Sequence, residues 1–92
     1  MLFFVYIIRS EEGYYYTGQT SDLQRRLLEH NSGISHSTKH GHNWQVIYKE
    51  EFSTRSEAMK REKWFKTGVG REWLKKMLRG GVRQRRSSSS GS

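Results

Sequence analysis

The stretch LFFVYIIRSEEGYYYTG, residues 2–18, decides the fold that the sequence predicts. Leu2–Arg9 is rich in aromatic and β-branched side chains and is apolar on both alternating faces, which predicts a strand that is covered on both sides. The Glu-Glu-Gly turn at 11–13 follows, and Tyr14–Thr17 returns as the second arm of a hairpin that Gly18 ends. The chain is therefore expected to begin with two antiparallel strands.

The rest of the chain predicts one more strand and three helices. In chain order the elements are a helix over Leu23–Asn31 with N-cap candidates at 20–22, a polar loop over 32–43, a strand over Trp44–Phe52, a helix from the capping box at Thr54 to about Lys66, and a last amphipathic helix over Arg71–Arg79. The segment Thr67-Gly-Val-Gly70 is expected to break the last two helices apart. The element order is then β-β-α-β-α-α.

Length and composition limit the number of domains, the binding partners and the chemistry that the chain can have. Its 92 residues suit one small domain, expected over residues 1–79, and the remainder, GGVRQRRSSSSGS, predicts a disordered basic tail over 80–92. The chain has 17 Lys and Arg against 9 Asp and Glu, a formal charge of +8 that suits a polyanion: nucleic acid, an acidic membrane surface or an acidic partner. Because cysteine is absent, disulfides, thiolate zinc sites and cysteine nucleophiles are excluded, and a reducing, cytoplasmic setting is expected.

Glu62 is the clearest local anomaly in the sequence. On the predicted helix after Thr54, it shares one stripe with Ala58 and Phe65, so a carboxylate lies on the face that should be buried. An ionised carboxylate is costly to bury unless it is paired or binds a metal. Two interpretations follow: a rim glutamate paired with a nearby arginine, or a metal ligand.

Further candidates lie on the hairpin and the first helix. Arg26 and His30 are four residues apart at the edge of the buried stripe, where Arg26 either reaches a phosphate or only lines the core. Tyr6 and Tyr16 stand on the two hairpin arms, as a cross-strand core pair or as site residues. The loop with Thr38 and Lys39 offers small donors for phosphate oxygens or is simply solvated. Its histidines lack the spacing of a structural zinc site.

Together these positions resemble the signature of the GIY-YIG nucleases over residues 2–79. The matching pieces are Val5-Tyr6-Ile7 and Tyr16-Thr17-Gly18 for the two halves of the signature, Asp22-Leu-Gln-Arg-Arg26 with His30 for the first helix, and Ser56-Glu-Ala58 followed by Glu62-Lys63 and Lys66 for the second. A fifth piece, Lys66-Thr-Gly-Val-Gly-Arg-Glu72, is similar to a stretch found in small stand-alone bacterial members of the group. The four-residue gap to His30 and the ten-residue gap from Tyr16 select Arg26 over Arg25 as the family's essential arginine. Five pieces in the right order make the resemblance specific.

The resemblance implies an α+β fold with a small three-stranded antiparallel sheet flanked by helices. It also implies a DNA endonuclease that hydrolyses phosphodiester bonds with one divalent metal, Mg²⁺ or Mn²⁺, bound by Glu62. Arg26 would neutralise charge on the phosphate, and Tyr6 would be the general base. Tyr16 and His30 would position water and phosphate, with His30 able to shuttle protons near neutral pH.

Partners follow from the same resemblance and from the charge. Nucleic-acid contacts are expected at Thr38, Lys39, Lys63 and Lys66, and the substrate is expected to be duplex or branched DNA rather than a membrane. No second module that reads sequence is expected, so specificity is expected to be low, to be set by DNA structure, or to be supplied by a protein partner. The alternative function is a catalytically silent nucleic-acid-binding domain on the same scaffold. A basic protein-interaction module is a third alternative, but it leaves the position of Glu62 unexplained.

Overall fold

The computed structural model describes residues 1–35 and 38–81, so His36, Ser37 and the predicted tail from Val82 on lie outside the described residues. The chain divides into two compact units, of which the first covers Met1–Glu62 and the second begins at Lys63. No helix in the described part of the chain is both long enough and apolar enough to cross a membrane.

Within the described residues the fold is α+β, with a three-stranded antiparallel sheet and three α-helices, as the sequence predicts. The elements are β1 (Phe3–Arg9), β2 (Tyr15–Thr20), α1 (Leu23–Asn31), β3 (Gln45–Phe52), α2 (Arg55–Phe65) and α3 (Gly68–Lys76), followed by a π-helical turn over Met77–Gly81. The boundary between the two units falls within α2.

The first strand is the centre of the sheet, whose strand order is β2-β1-β3. Val5 and Ile7 point to one face of the sheet and Tyr6 and Ile8 to the other, and all four side chains are buried. The prediction of a strand covered on both sides is therefore confirmed. On β3, the register shifts by one residue between the partners of Ile7 and Ile8.

The second strand is longer than the sequence predicts. Gly18 was expected to end the hairpin arm, but β2 continues to Thr20, and Gly18 pairs with Tyr6 of β1 inside the sheet. A Cβ atom at position 18 would lie 2.6 Å from the Tyr6 hydroxyl and 2.9 Å from the Tyr16 ring. The glycine is thus required because an aromatic side chain lies across it, and not because the chain turns there.

The last helix begins earlier than predicted. Thr67 is its N-cap, and the Thr67 hydroxyl accepts a hydrogen bond of 3.2 Å from the backbone N–H of Gly70. The two glycines that were expected to separate the helices lie in the first turn of α3 instead. A Cβ on Gly70 would lie 2.6 Å from Phe65 Cα, so this glycine lets the start of α3 approach the end of α2.

The first helix covers the face of the sheet that carries Tyr6. Asp22 caps α1, as predicted, by accepting a hydrogen bond of 3.2 Å from the backbone N–H of Arg25. Leu23 and Leu27 pack against a cluster of Tyr6, Ile8 and Trp44. The packing of this predicted buried stripe therefore sets the position of Arg26 and His30, which lie at its edge on α1.

Candidate functional site

Tyr6 and His30 form the buried centre of the candidate site. The Tyr6 hydroxyl lies 2.8 Å from His30 Nε2, and each residue is only 1% exposed. The absence of a side chain at Gly18 makes the space that the Tyr6 ring occupies, as the close approach of the hydroxyl to that glycine shows. Strand β1 and helix α1 thus bring together two residues that are 24 positions apart in the chain.

Tyr16 lies beside this pair on β2. Its ring centroid is 5.0 Å from that of His30 and 6.3 Å from that of Tyr6. Tyr16 is half-buried, so its ring forms part of the boundary between the buried pair and solvent. The two hairpin tyrosines therefore meet at one site, as the sequence predicts.

The two arginines of α1 differ in how far they turn toward this site. The Arg26 side chain is 31% exposed, donates to Glu29 at 2.8 Å and lies 3.5 Å from Ser35 Oγ, whereas the Arg25 side chain is 76% exposed. Hydrogen bonding to Glu29 and the nearby Tyr6 hydroxyl raise the pKa of Arg26 despite partial burial. Arg26 is therefore the arginine that lies at the site, in line with the choice made from sequence spacing.

An open groove gives solvent access to Arg26. It has a volume of about 190 Å³ and is lined by Thr20, Ser21, Asp22, Arg25, Arg26 and Glu29. A larger groove of about 430 Å³ is lined by residues at the other end of β1, around Arg9 and Trp44, and it includes none of the five predicted catalytic residues. The smaller groove is therefore the one of the two that contains a predicted catalytic residue, Arg26.

Both proton-carrying groups at the centre are neutral at pH 7. Burial raises the pKa of Tyr6 to about 12; the Tyr16 hydroxyl adds to this rise, and Arg26 opposes it. Burial, together with the positive charge of Arg26, lowers the pKa of His30 to about 4. The expectation that His30 titrates near neutral pH therefore does not describe this buried ring.

Glu62 lies within electrostatic reach of the centre. Its negative charge contributes to the raised pKa of Tyr6, and its side chain is half-buried on α2, between the buried Ala58 and Phe65 of the predicted stripe. The neighbouring Arg61 forms two hydrogen bonds, of 2.8 and 3.0 Å, with the carboxylate of Glu50 on β3. This pair ties the Glu62 turn of α2 to the sheet.

The residues predicted to contact nucleic acid differ in their exposure to solvent. Thr38 is fully buried, and its hydroxyl lies 2.7 Å from His30 Nδ1, so it is not the surface donor that the polar loop suggested. The reason is that Thr38 contacts His30 of α1 through its hydroxyl and the Trp44 indole N–H through its carbonyl oxygen. Lys39 is exposed in the same loop, and Lys63 and Lys66 are exposed in the second unit.

Sequence reasoning missed three features that shape the site. Gly18 was interpreted as a strand end, although the tyrosines at 6 and 16 give a signal that an aromatic ring needs space there. The partnership of Thr38 with His30 joins residues across an irregular loop, for which local periodicity gives no signal. The pairing of Glu29 with Arg26 has no counterpart among the sequence-based predictions, and Glu29 lines the groove beside Arg26.

The family model described as the GIY-YIG catalytic domain matches residues 2–76. The chain belongs to the GIY-YIG family. In this GIY-YIG chain the five matching pieces fall on β1, β2, α1, α2 and the start of α3, and the three that carry Tyr6, Tyr16, Arg26 and His30 meet around the buried pair.

Curated relatives and a solved structure agree with this membership. The chain is 37% identical over 78 residues to a UPF0213 protein of Staphylococcus saprophyticus, a match that covers 84% of this chain and 95% of that protein. It is 45% identical over 64 residues to a UPF0213 protein of Listeria innocua, covering 68% and 71%. The solution NMR structure of a UPF0213 protein from Bacillus halodurans matches with a TM-score of 0.52 and 32% identity over 88% of each chain. The names of these relatives state no activity.

Proposed function

We propose that this GIY-YIG chain is a divalent-metal-dependent endonuclease that hydrolyses phosphodiester bonds of DNA. The observation that carries the proposal is the meeting of Tyr6, Tyr16, Arg26 and His30 at one site, with the charge of Glu62 acting on the same hydroxyl. These groups include a guanidinium, two phenols, an imidazole and a carboxylate. The catalytic domain is proposed to cover residues 1–79, which include the family match.

Arg26 is the proposed phosphate-binding group. Its planar guanidinium can donate two parallel hydrogen bonds to phosphate oxygens, and it borders the groove through which a phosphate can approach. In the free chain Glu29 occupies one of its donors at 2.8 Å. A phosphate that binds Arg26 replaces part of this ion pair, and the half-buried Tyr16 lies next to the phosphate position.

Glu62 is the proposed metal ligand. The described residues contain no group of three His, Asp or Glu side chains that could enclose a metal ion. A single carboxylate fits Mg²⁺ or Mn²⁺, since Mg²⁺ usually keeps several waters and binds one or two carboxylates together with substrate phosphate oxygens. When bound, the cation would supply Lewis-acid stabilisation of the charge on the phosphate and the leaving oxygen.

Tyr6 is the proposed general base, and the free chain holds it protonated. Burial gives its hydroxyl a pKa of about 12, so the pKa must fall on substrate binding before Tyr6 can accept a proton from water. Arg26 is the residue of this chain that already acts in that direction, because its charge and hydrogen bond lower the Tyr6 pKa. His30 holds the hydroxyl in place as a neutral partner.

The basic surface is proposed to bind the phosphate backbone. Lys39, Lys63 and Lys66 are exposed, and the chain carries a formal charge of +8. Such contacts bind without reading sequence and depend steeply on salt concentration. Specificity would then come from the shape of a branched or duplex substrate or from a protein partner, in a cytoplasmic setting.

The deciding experiment is cleavage of labelled duplex and branched DNA at low salt, with Mg²⁺, with Mn²⁺ and with EDTA. Glu62→Gln is compared with Glu57→Gln, which removes the same charge from the same helix. Glu57 belongs to the N-terminal capping box with Thr54, and glutamine can also fill that role. We expect metal-dependent cleavage that Glu62→Gln abolishes and Glu57→Gln keeps, with DNA affinity within a few-fold in both. Full cleavage by Glu62→Gln contradicts the proposal.

A silent DNA-binding domain is the second candidate, and one observation favours it. Tyr6 and His30 are almost fully covered, and Arg26 is paired with Glu29, so the free chain presents few reactive groups to a substrate. This candidate predicts salt-dependent DNA binding without cleavage in any metal. It also predicts that Glu62→Gln behaves like wild type in every assay.

A further inference from the structure

The ring of His30 is held at both of its nitrogens by hydroxyl groups. Tyr6 lies 2.8 Å from Nε2, and Thr38 Oγ1 lies 2.7 Å from Nδ1. All three residues are at most 1% exposed, so water does not compete for these positions. The family signature and the sequence pattern assign Thr38 no part in this arrangement.

Thr38 is itself held in place by a chain of hydrogen bonds that leads back to α1. Its carbonyl oxygen accepts hydrogen bonds of 3.1 Å from the Trp44 indole N–H and from the Gly41 N–H. The backbone of Trp44 is held in turn by the side chain of Asn31, which donates to the carbonyl at 3.1 Å and accepts from the N–H at 2.6 Å. Because Asn31 follows His30 directly, these hydrogen bonds fix Thr38 relative to the His30 ring.

The chemistry of a neutral imidazole couples the two hydroxyls. The ring has one N–H and one lone pair, so one hydroxyl must donate to it while the other accepts from it. A phenol is more acidic than an aliphatic alcohol and is therefore the stronger donor. We therefore expect Tyr6 to donate to Nε2 and Nδ1–H to donate to Thr38 Oγ1.

We propose that Thr38 is a positioning residue, which orients the His30 ring and accepts its Nδ1–H so that the Nε2 lone pair faces the Tyr6 hydroxyl. The effect of Thr38 on catalysis rests on the proposed nuclease function, whereas its effect on the tautomer of the His30 ring does not. Thr38→Val tests both, because valine keeps the shape of threonine but neither donates nor accepts hydrogen bonds. In that variant a buried Nδ1–H would have no acceptor, so the proton moves to Nε2 and the ring donates to Tyr6. Thr38→Ser keeps the hydroxyl and is the matched control.

The first measurement reads the ring directly. Histidine is labelled with ¹⁵N in the full chain, and two-bond ¹H–¹⁵N spectra at pH 7 show which nitrogen carries the proton, with His30→Gln used to assign the signals. We expect the Nδ1–H form in wild type and Thr38→Ser, and the Nε2–H form in Thr38→Val. The same tautomer in wild type and Thr38→Val overturns the proposal.

The second measurement is cleavage at saturating DNA and Mg²⁺. We expect kcat of Thr38→Val to fall about tenfold or more, with KM unchanged, and kcat of Thr38→Ser to stay within about threefold of wild type. A tautomer change with unchanged kcat overturns the catalytic role. If wild type does not cleave DNA, the proposed function fails, and the ring spectra still decide whether Thr38 orients His30.

Discussion

Replacing Gly18 by alanine tests whether the site depends on the close approach of Tyr6 to β2. The added Cβ would lie 2.6 Å from the Tyr6 hydroxyl, 2.8 Å from Tyr6 Cζ and 2.9 Å from the Tyr16 ring. A side chain at a free surface could rotate away from such a contact. The Tyr6 ring cannot, because it is 1% exposed and its hydroxyl is bonded to His30.

The size of the effect follows from these distances. Ordinary contact begins at 3.4 Å, so the hydroxyl must shift by 0.8 Å, which is enough to stretch its 2.8 Å hydrogen bond with His30 beyond a normal length. Overpacking of a well-packed core costs about 1–3 kcal/mol, which in a domain of this size lowers Tm by roughly 4–24 °C. A misplacement of this order lowers a reaction rate by up to about a hundredfold.

The assay is thermal unfolding followed by circular dichroism, together with the cleavage measurement on Gly18→Ala. Gly68→Ala is the control, because a Cβ at position 68 meets no atom within 4 Å and the residue lies in the first turn of α3. We expect the control to match wild type or to be slightly more stable, since alanine is the better helix former. Unchanged Tm and cleavage in Gly18→Ala would refute the steric reasoning.

Three further predictions concern charge. Arg26→Ala should lose cleavage while Arg25→Ala keeps most of it, because only Arg26 turns toward Tyr6; the reverse ranking in the same assay contradicts this assignment. For His30, whose pKa is lowered from 6.5 to about 4, the unfolded chain binds a proton at higher pH than the folded chain. Folding stability should therefore fall as pH drops from 6.5 toward 4, and a Tm series should show a weaker dependence in His30→Gln. Lys39→Ala should reduce the slope of log affinity against log salt by about 0.9 with kcat unchanged; an unchanged slope removes Lys39 from the interface.

The elements of the fold could be predicted where a repeating pattern of buried side chains defines them. Four consecutive apolar residues in β1 and the leucine pair of α1 required no knowledge of the tertiary structure. Glycine was the recurrent difficulty. Gly18 and Gly70 were both interpreted as breaks, because the sequence shows that a side chain is missing but not which neighbour needs the space. In the structure, an aromatic ring and a helix backbone occupy it.

At the candidate site, the helical repeat and the hairpin predict where the residues lie, and the resemblance to the GIY-YIG nucleases identifies them as site residues. The helical repeat places Arg26 and His30 at the edge of the buried stripe, and the hairpin brings Tyr6 and Tyr16 together, but neither pattern gives their electrostatic state. Burial raises the pKa of Tyr6 to about 12 and lowers the pKa of His30 to about 4. The depth of burial that causes these shifts cannot be obtained from the sequence alone. The contact of Thr38 with His30 likewise depends on hydrogen bonds involving Trp44 and Asn31 that no local sequence pattern indicates.

These protonation states bear on how such a site could select its substrate. Since Tyr6 and His30 are neutral at pH 7, the charges that act on the Tyr6 hydroxyl are those of Arg26 and Glu62, and Arg26 is paired with Glu29. A phosphate alone would compete with Glu29 for Arg26 and would raise the pKa of Tyr6 further by its negative charge. A divalent cation at Glu62 would have the opposite effect on Tyr6. A ligand that brings a phosphate and a cation together is therefore the one that can both occupy Arg26 and lower the pKa of Tyr6. When the metal is withheld, we expect the chain to bind DNA without cleaving it.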